Sequence, residues 1–282
     1  MSIIIDRLTY IYNKGQKDES IALKEVSLEI EKGSVTGIIG HTGSGKSTLI
    51  QHLNGLLRPD SGSITIDGED IFAHSNLLQL RRKVGLVFQY PEYQLFEETV
   101  EKDIAFGPSN LGLSDKEISD RVKLAAEMAG LDLKIVGKRS PFDLSGGQKR
   151  KAAIAGVVAM KPEILVLDEP AAGLDPQAHR DMLHMLKRIN QELRCTVIVV
   201  SHDMDDISNL CDKVFVMEGG AVAIWGTPAE VFAQTERLHS MGLGVPASAE
   251  LVWRLKNAGI DFETDILNEE AVATGIAEIL KL

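Results

Sequence analysis

Cysteine is nearly absent from this sequence: Cys195 and Cys211 are the only two in 282 residues, and no C-x-x-C pair occurs. That excludes a disulfide scaffold and a cysteine zinc centre, and it predicts a reducing compartment with both thiols buried and inert. Long apolar runs are missing too. None approaches the ~20 residues that a bilayer-spanning helix needs, and Met1-Ser2-Ile3-Ile4-Ile5-Asp6 carries no basic stretch ahead of an apolar core. The expectation is a chain neither exported nor membrane-spanning. Positive charge is short, with 30 Lys and Arg against 41 Asp and Glu and a formal net charge of −11. Binding a nucleic-acid backbone depends on neutralising Lys and Arg, so nucleic acid is not expected as a partner. A basic patch on another protein remains compatible with this balance. Internal repeats and low-complexity segments are also lacking.

What is present is enough apolar material, 44% of residues, to fill a sizeable core, and one stretch of unusual specificity. Gly40-His41-Thr42-Gly43-Ser44-Gly45-Lys46-Ser47 follows the β-like run 34–39 and precedes Thr48-Leu49-Ile50-Gln51-His52-Leu53, whose apolar positions fall at helical spacing. Strand, glycine loop and helix make a phosphate site. Glycines let successive backbone N–H groups turn toward a polyphosphate, and the helix N-terminus adds its partial positive charge. Lys46 then reaches the β- and γ-phosphates, and the Ser47 hydroxyl coordinates Mg²⁺.

Around this loop the chain reads as α/β. Residues 3–12 and 26–30 are expected strands, and Ser63 to Gly68 a hairpin arm, so an antiparallel β portion precedes and interrupts the nucleotide core. Val84 to Phe88 is a short buried strand that delivers Gln89 at its end. From Pro91 to Leu133 the pattern turns helical, most clearly after Ser114, whose Glu117 completes a capping box before Gly130 stops the helix. Ile164 to Asp168 and Cys195 to Val200 are near-continuous apolar runs, as a parallel sheet covered on both faces requires. A hairpin over 213–225 turns at Gly219-Gly220, and Thr227-Pro228-Ala229-Glu230 opens a mainly helical tail.

The strand ends carry chemistry. Asp168 and Glu169 close one apolar run, where a parallel sheet presents its ligand-binding groups: Asp168 suits a magnesium ligand, and Glu169 suits a base polarising water. His202 follows the neighbouring run, in reach of a γ-phosphate, and Gln89 ends a third, in reach of the metal and water. Ser145-Gly146-Gly147-Gln148 runs straight into a helix. It fits either an ordinary capped N-terminus or a second anion site.

Together the glycine loop, Leu144 to Gln148, Ile164 to Glu169, Gly173-Leu174-Asp175 and His202 resemble the Walker A, signature, Walker B, D-loop and H-loop of the ABC ATPases. The resemblance covers residues 1–226 and implies a P-loop NTPase fold: a mixed sheet core, an antiparallel β portion and a helical insertion over about 91–150. It implies ATP and Mg²⁺ as cofactors. It also implies head-to-tail pairing, in which Ser145, Gly146, Gly147 and Gln148 serve the ATP held by the partner's loop. Tyr12 matches the aromatic that stacks on adenine, with Tyr10 a nearby competitor.

The stretch after Gln89, Tyr90 to Pro108, is similar to the Q-loop region of energy-coupling factor transporter ATPases, and Gly40-His41-Thr42-Gly43 to the second of their two ATPase types. Gly242-Leu243-Gly244-Val245-Pro246 resembles that group's C-terminal extension, placed here at 227–282. The resemblance implies a peripheral subunit on the cytoplasmic face of the cell membrane. It implies pairing with a second, related ATPase, and assembly with an integral coupling subunit and a substrate-binding membrane subunit. Substrate choice then lies in another chain, with vitamins and Co²⁺ or Ni²⁺ both open. Glu92, Glu97, Glu98, Glu101 and Asp103 against one Lys102 form an acidic stretch. It fits a solvated helix face or, with Tyr93 and Gln94, a surface receiving basic coupling helices. Lys151, Ala152 and Ala171 depart from the common ABC pattern and leave Glu169 and His202 intact. The competing classes are a non-transport ABC ATPase of DNA maintenance or translation and a nucleotide-binding regulator without turnover.

Overall fold

The computed structural model describes residues 2–73, 77–260 and 265–280. Met1 and Leu282, the outer limits of the two expected domains, lie outside the described residues, as do residues 74–76, 261–264 and 281. β1 (Ser2–Tyr12) and β2 (Ser20–Glu31) run antiparallel with Ile5 opposite Leu28. Alternation sends Val26, Leu28 and Ile30 inward and leaves Glu29 and Glu31 in solvent. β3 (Val35–Ile39) is buried throughout and feeds the glycine loop and α1 (Lys46–Leu53). The chain then rejoins the antiparallel sheet as β4 (Ser61–Ile66) and β5 (Glu69–Asp70), giving the order β2-β1-β4-β5.

α2 (Leu77–Lys83) leads into β6 (Val84–Val87), and a helical layer follows: α3 (Val100–Ser109), α4 (Asp115–Met128), α5 (Leu133–Val136) and α6 (Gly146–Val158). The capping box at Ser114 forms, with Ser114 N–H donating to the Glu117 carboxylate at 2.9 Å. β7 (Ile164–Asp168), α7 (Pro176–Leu193), β8 (Thr196–Val200), α8 (Met204–Leu210) and the hairpin β9 (Lys213–Glu218) and β10 (Ala221–Gly226) complete the second sheet. Its order is β10-β9-β3-β8-β7-β6, parallel except for the β9–β10 hairpin.

Both faces of this sheet are covered, which is why its strands read as unbroken apolar runs. Along β8, Val197 and Val199 join the cluster under the helices, whereas Ile198 and Val200 join the cluster under α1 and the antiparallel sheet. β7 divides the same way, Leu165 and Leu167 against Ile164 and Val166. Cys195 and Cys211 are both buried, and burial raises each thiol, Cys195 to about 11, so neither is a ready thiolate.

After Gly226, the last residue of β10, come α9 (Pro228–Phe232), α10 (Thr235–Ser240), α11 (Ala247–Asn257) and α12 (Glu269–Leu280). The start of this tail shares the main core, with Val231, Phe232, Leu238 and Leu243 in the helix-side cluster. Val252 and Val272 form a small cluster of their own. Among the described residues no helix is long and apolar enough to cross a membrane.

Candidate nucleotide-binding site

β3 ends at the mouth of the glycine loop, and the loop's backbone demands glycine where it turns. Gly45 has φ +102, and a Cβ there would stand 2.6 Å from the Ala22 carbonyl, so no side chain fits between the loop and β2. Lys46 begins α1, and its ammonium donates to the carbonyls of Gly40 at 2.6 Å and His41 at 3.0 Å. Burial pushes the Lys46 ammonium below its ordinary pKa, against the pull of Glu169 and Asp168. The next residue, Ser47, donates its hydroxyl to the Asp168 carboxylate at 3.0 Å. Burial raises the Asp168 carboxyl, the Ser47 hydrogen bond opposes that, and the Glu169 charge adds to it.

Parallel pairing brings the C-terminal ends of β6, β7 and β8 to one edge, with Asp168 opposite Val200. Glu169 leaves that edge in the left-handed region, φ +51, with its N–H bonded to the Val200 carbonyl at 2.9 Å. The turn aims its carboxylate at His202, whose Nδ1 lies 2.8 Å from Oε2. Gln89, Asp168, Glu169 and His202 line one cleft of about 830 Å³ together with Gly40 to Gly43 and Gly45 to Thr48. Ser44 is buried, and its hydroxyl has no hydrogen-bond partner among the described residues. Tyr12 lines the same cleft, its hydroxyl 3.2 Å from that of Thr48. Tyr10 stands behind it, packed edge-on against Tyr12 and the buried His52.

Seven cleft residues were given no site role by the sequence: Ser20, Ile21 and Ala22 at the start of β2, and four from the C-terminal half. Met204 opens α8, and Gly242-Leu243-Gly244, singled out only as part of the extension, forms a wall beside it. Leu243 is buried there. The only signal in the sequence was the glycine pair itself.

A second cleft, of about 780 Å³, lies elsewhere on the surface and is lined by Ser145, Gly146, Gly147, Gln148, Gly173 and Asp175 among others. Ser145 caps α6 through a box with Gln148, and Asp175 caps α7 by accepting from Gln177 N–H at 3.0 Å and Ala178 N–H at 2.9 Å. Lys151 pairs with Asp181 of α7 at 3.0 Å.

The acidic stretch after Gln89 is in part the solvated face that was one of its two readings, with Glu98 and Lys102 exposed. Glu92 is folded in against Arg150, which is 3% exposed and also donates to the carbonyls of Pro170 and Ala172. Glu98 pairs with Lys102, Glu101 with Lys138, and Asp103 accepts the N–H groups of Phe96 and Glu97. The charge is thus largely answered within the chain. The segment also exposes aromatic side chains: Tyr93 at 85%, Phe96 at 56% and Phe106 at 48%, while Gln94 is exposed and Glu97 half-buried.

A glycine loop under a parallel sheet edge, hard oxygen donors from Ser47 and Asp168, a Glu169–His202 pair and a separate Ser145 to Gln148 cleft define the class: an ATP-binding-cassette ATPase. The ABC transporter family profile matches residues 23–172. The chain is 50% identical to the energy-coupling factor transporter ATP-binding protein EcfA2 of Clostridium perfringens and 52% identical to that of Clostridium acetobutylicum. In each case the match covers 100% of this chain and 99% of the relative. Among solved structures, cbiO1 from Clostridium perfringens, part of the ABC transporter complex cbiONQ, is similar with a TM-score of 0.76 and 40% identity. It covers 88% of this chain and 97% of its own. The ATP-binding cassette MJ0796, a dimer in a post-hydrolysis state with ADP and Pi, matches at a TM-score of 0.71 and 29% identity over 80% of this chain and 98% of its own. The chain belongs to the energy-coupling factor group of ABC transporter ATP-binding proteins. As such it is the ATP-binding, ATP-hydrolysing subunit of an energy-coupling factor transporter, which sets aside the DNA-maintenance, translation and regulator alternatives.

Proposed function

We propose that this chain holds MgATP on Gly40 to Thr48 and hydrolyses it with Glu169 as general base and His202 as the group that orients it. The observation that carries this is the 2.8 Å contact between His202 and Glu169, at the lip of the cleft that Lys46 and Ser47 line. Phosphoryl transfer to water asks for positioning and charge neutralisation more than covalent chemistry. Lys46 supplies a cation beside the phosphates, its ammonium partly stripped of water by burial, and Tyr12 supplies a face for adenine. A magnesium ion fits the donor set of Ser47, Asp168 and Gln89, all neutral or anionic oxygen ligands of the kind it prefers. When bound it supplies charge neutralisation at the phosphates.

The separate Ser145 to Gln148 cleft supports head-to-tail pairing with a second, related ATPase, so that Asp175 and the capped α6 serve the partner's nucleotide. The dimeric state of the similar MJ0796 cassette supports the pairing of two cassettes. The chain then sits peripherally on the cytoplasmic face of the cell membrane and takes up its membrane partners at the Q-loop segment. Exposed Tyr93, Phe96 and Phe106 favour an apolar contact there, with Gln94 and Glu97 at its rim. The cargo is a vitamin or a transition-metal ion, chosen by a membrane subunit.

Glu169→Gln tests the core of this reading. The variant is expected to bind ATP with wild-type affinity in a fluorescence titration and to lose at least a hundredfold in turnover, about 2.7 kcal/mol of barrier. Wild-type turnover would refute the assignment of the base.

A further inference from the structure

α8 is seven residues long and starts two residues after His202, so its seating fixes where the imidazole stands. Its apolar residues Met204, Ile207 and Leu210 lie in the core, and three groups of hydrogen bonds tie down the acidic residues at its start. Within its own first turn, Asp203 Oδ1 accepts the N–H groups of Asp205 and Asp206, each at 3.0 Å. From α7, His179 Nε2 lies 2.7 Å from Asp206 Oδ1, and Asp206 is buried. The third comes from far along the chain: Asp205 Oδ1 accepts the N–H of Ala247, the first residue of α11, at 3.0 Å.

The segment that delivers Ala247 runs past the nucleotide cleft. Gly242, at φ +72, ends α10 with its N–H on the His239 carbonyl, and Leu243 donates to the Leu238 carbonyl at 3.0 Å. Gly242, Leu243 and Gly244 then line the cleft beside His202 and Met204. Leu243 and Met204 belong to one buried cluster. The tail therefore reaches the start of α8 by one hydrogen bond to a carboxylate, and it shares with α8 the lining of the cleft.

We infer that residues 241–247 of the tail are a positioning element for hydrolysis, with Asp205 and Ala247 as positioning residues that seat α8 and thereby hold His202 against Glu169. The inference rests on the reading of Glu169 and His202 as the hydrolytic pair. It gives the C-terminal segment a part in turnover at this chain's own ATP, separate from any part in assembly.

Ala247→Pro isolates the contact. Proline is favoured at the first position of a helix, and Pro246, at φ −52 and ψ 147, already has the conformation preferred before proline. The substitution thus deletes the donor and leaves α11 intact. Asp205→Ala deletes the acceptor, and Asp205→Asn restores an oxygen that accepts. In the ATP-hydrolysing assembly of the full chain, each deletion is expected to lower kcat about three- to tenfold, the range set by one hydrogen bond. KM for ATP should stay within about twofold, because the glycine loop is untouched. The double variant should be no worse than either single one, and Asp205→Asn should return most of the rate. Unchanged kcat in both deletions overturns the inference. So do additive losses, or a rise in KM with kcat preserved. Thermal unfolding of the full chain identifies a variant that fails to fold, and Asp205→Ala then decides alone. His202→Ala and Glu169→Gln run alongside: if they still turn over, the reading beneath has failed, whereas their loss with wild-type kcat in the tail variants sinks the tail assignment only.

Discussion

Arg150 and Glu92, 58 residues apart, meet as a fork: Nε donates to one carboxylate oxygen at 3.0 Å and Nη2 to the other at 2.8 Å. The pair joins the segment after Gln89 to the helix that carries Ser145. Removing Glu92 leaves the buried Arg150 guanidinium without its counter-ion, held only by the Pro170 and Ala172 carbonyls, so Glu92→Ala is expected to destabilise the chain by roughly 3–5 kcal/mol in denaturant unfolding. Replacing both, as Glu92→Leu with Arg150→Met, should recover much of that loss. Additive losses in the double variant would show that the fork is not the origin.

The same pair gives the chain an acid limb. Burial alone would raise the Glu92 carboxyl, but the Arg150 hydrogen bonds and charge outweigh it and hold it below its ordinary value of 4.5. As pH falls below that value the unfolded chain takes up the proton first, so stability falls with pH until the folded carboxyl is also protonated. The melting temperature of the wild type should therefore drop more steeply below about pH 4.5 than that of Glu92→Gln, which has no proton to take up. Parallel acid limbs would rule this out.

Because Glu92 is tied down inside the chain, charge reversal there tests folding rather than docking. The docking test belongs to the aromatic residues. Tyr93→Ala with Phe96→Ser should strip the membrane partner from the purified complex, as loss of contacts worth about 1–2 kcal/mol or more each would do. Melting of the isolated chain should change little, since both side chains are exposed. Full co-purification from detergent-solubilised membranes would move the partner face elsewhere.

Tyr12 and Tyr10 separate cleanly. Tyr12→Ala should weaken ATP binding by about 1–3 kcal/mol, the worth of one base stacked on an aromatic ring, while Tyr12→Phe keeps the ring and most of the affinity. Tyr10→Ala should act mainly on stability, through its packing on His52. Isothermal titration with ATP and thermal unfolding of the three variants distinguish the two positions.

Much of this was legible before any coordinates, and the reason is locality. Capping boxes at Ser114 and Thr227, the Gly219-Gly220 turn and the apolar runs of β7 and β8 depend on residues within a few positions of each other. The glycine loop is local as well. What stayed hidden involves partners far apart in sequence. Nothing near Glu92 announces Arg150, so the acidic run gave no sign of how much of its charge is answered within the chain. Nothing near Gly242 announces the cleft, because its place there depends on how α9 and α10 pack on the core. Tyr10 and Tyr12 look alike on one strand until the sheet decides which of them the cleft meets.

Glu169 holds its backbone at φ +51, a conformation that glycine adopts freely and a glutamate only at a penalty of about 1 kcal/mol or more. On the proposed reading of Glu169 as the base, Glu169→Gly would thus be a sturdier protein with an idle site. Any laboratory selection of this chain for heat resistance alone should drift toward that substitution, and the first sign of it would be tight ATP binding with no phosphate released.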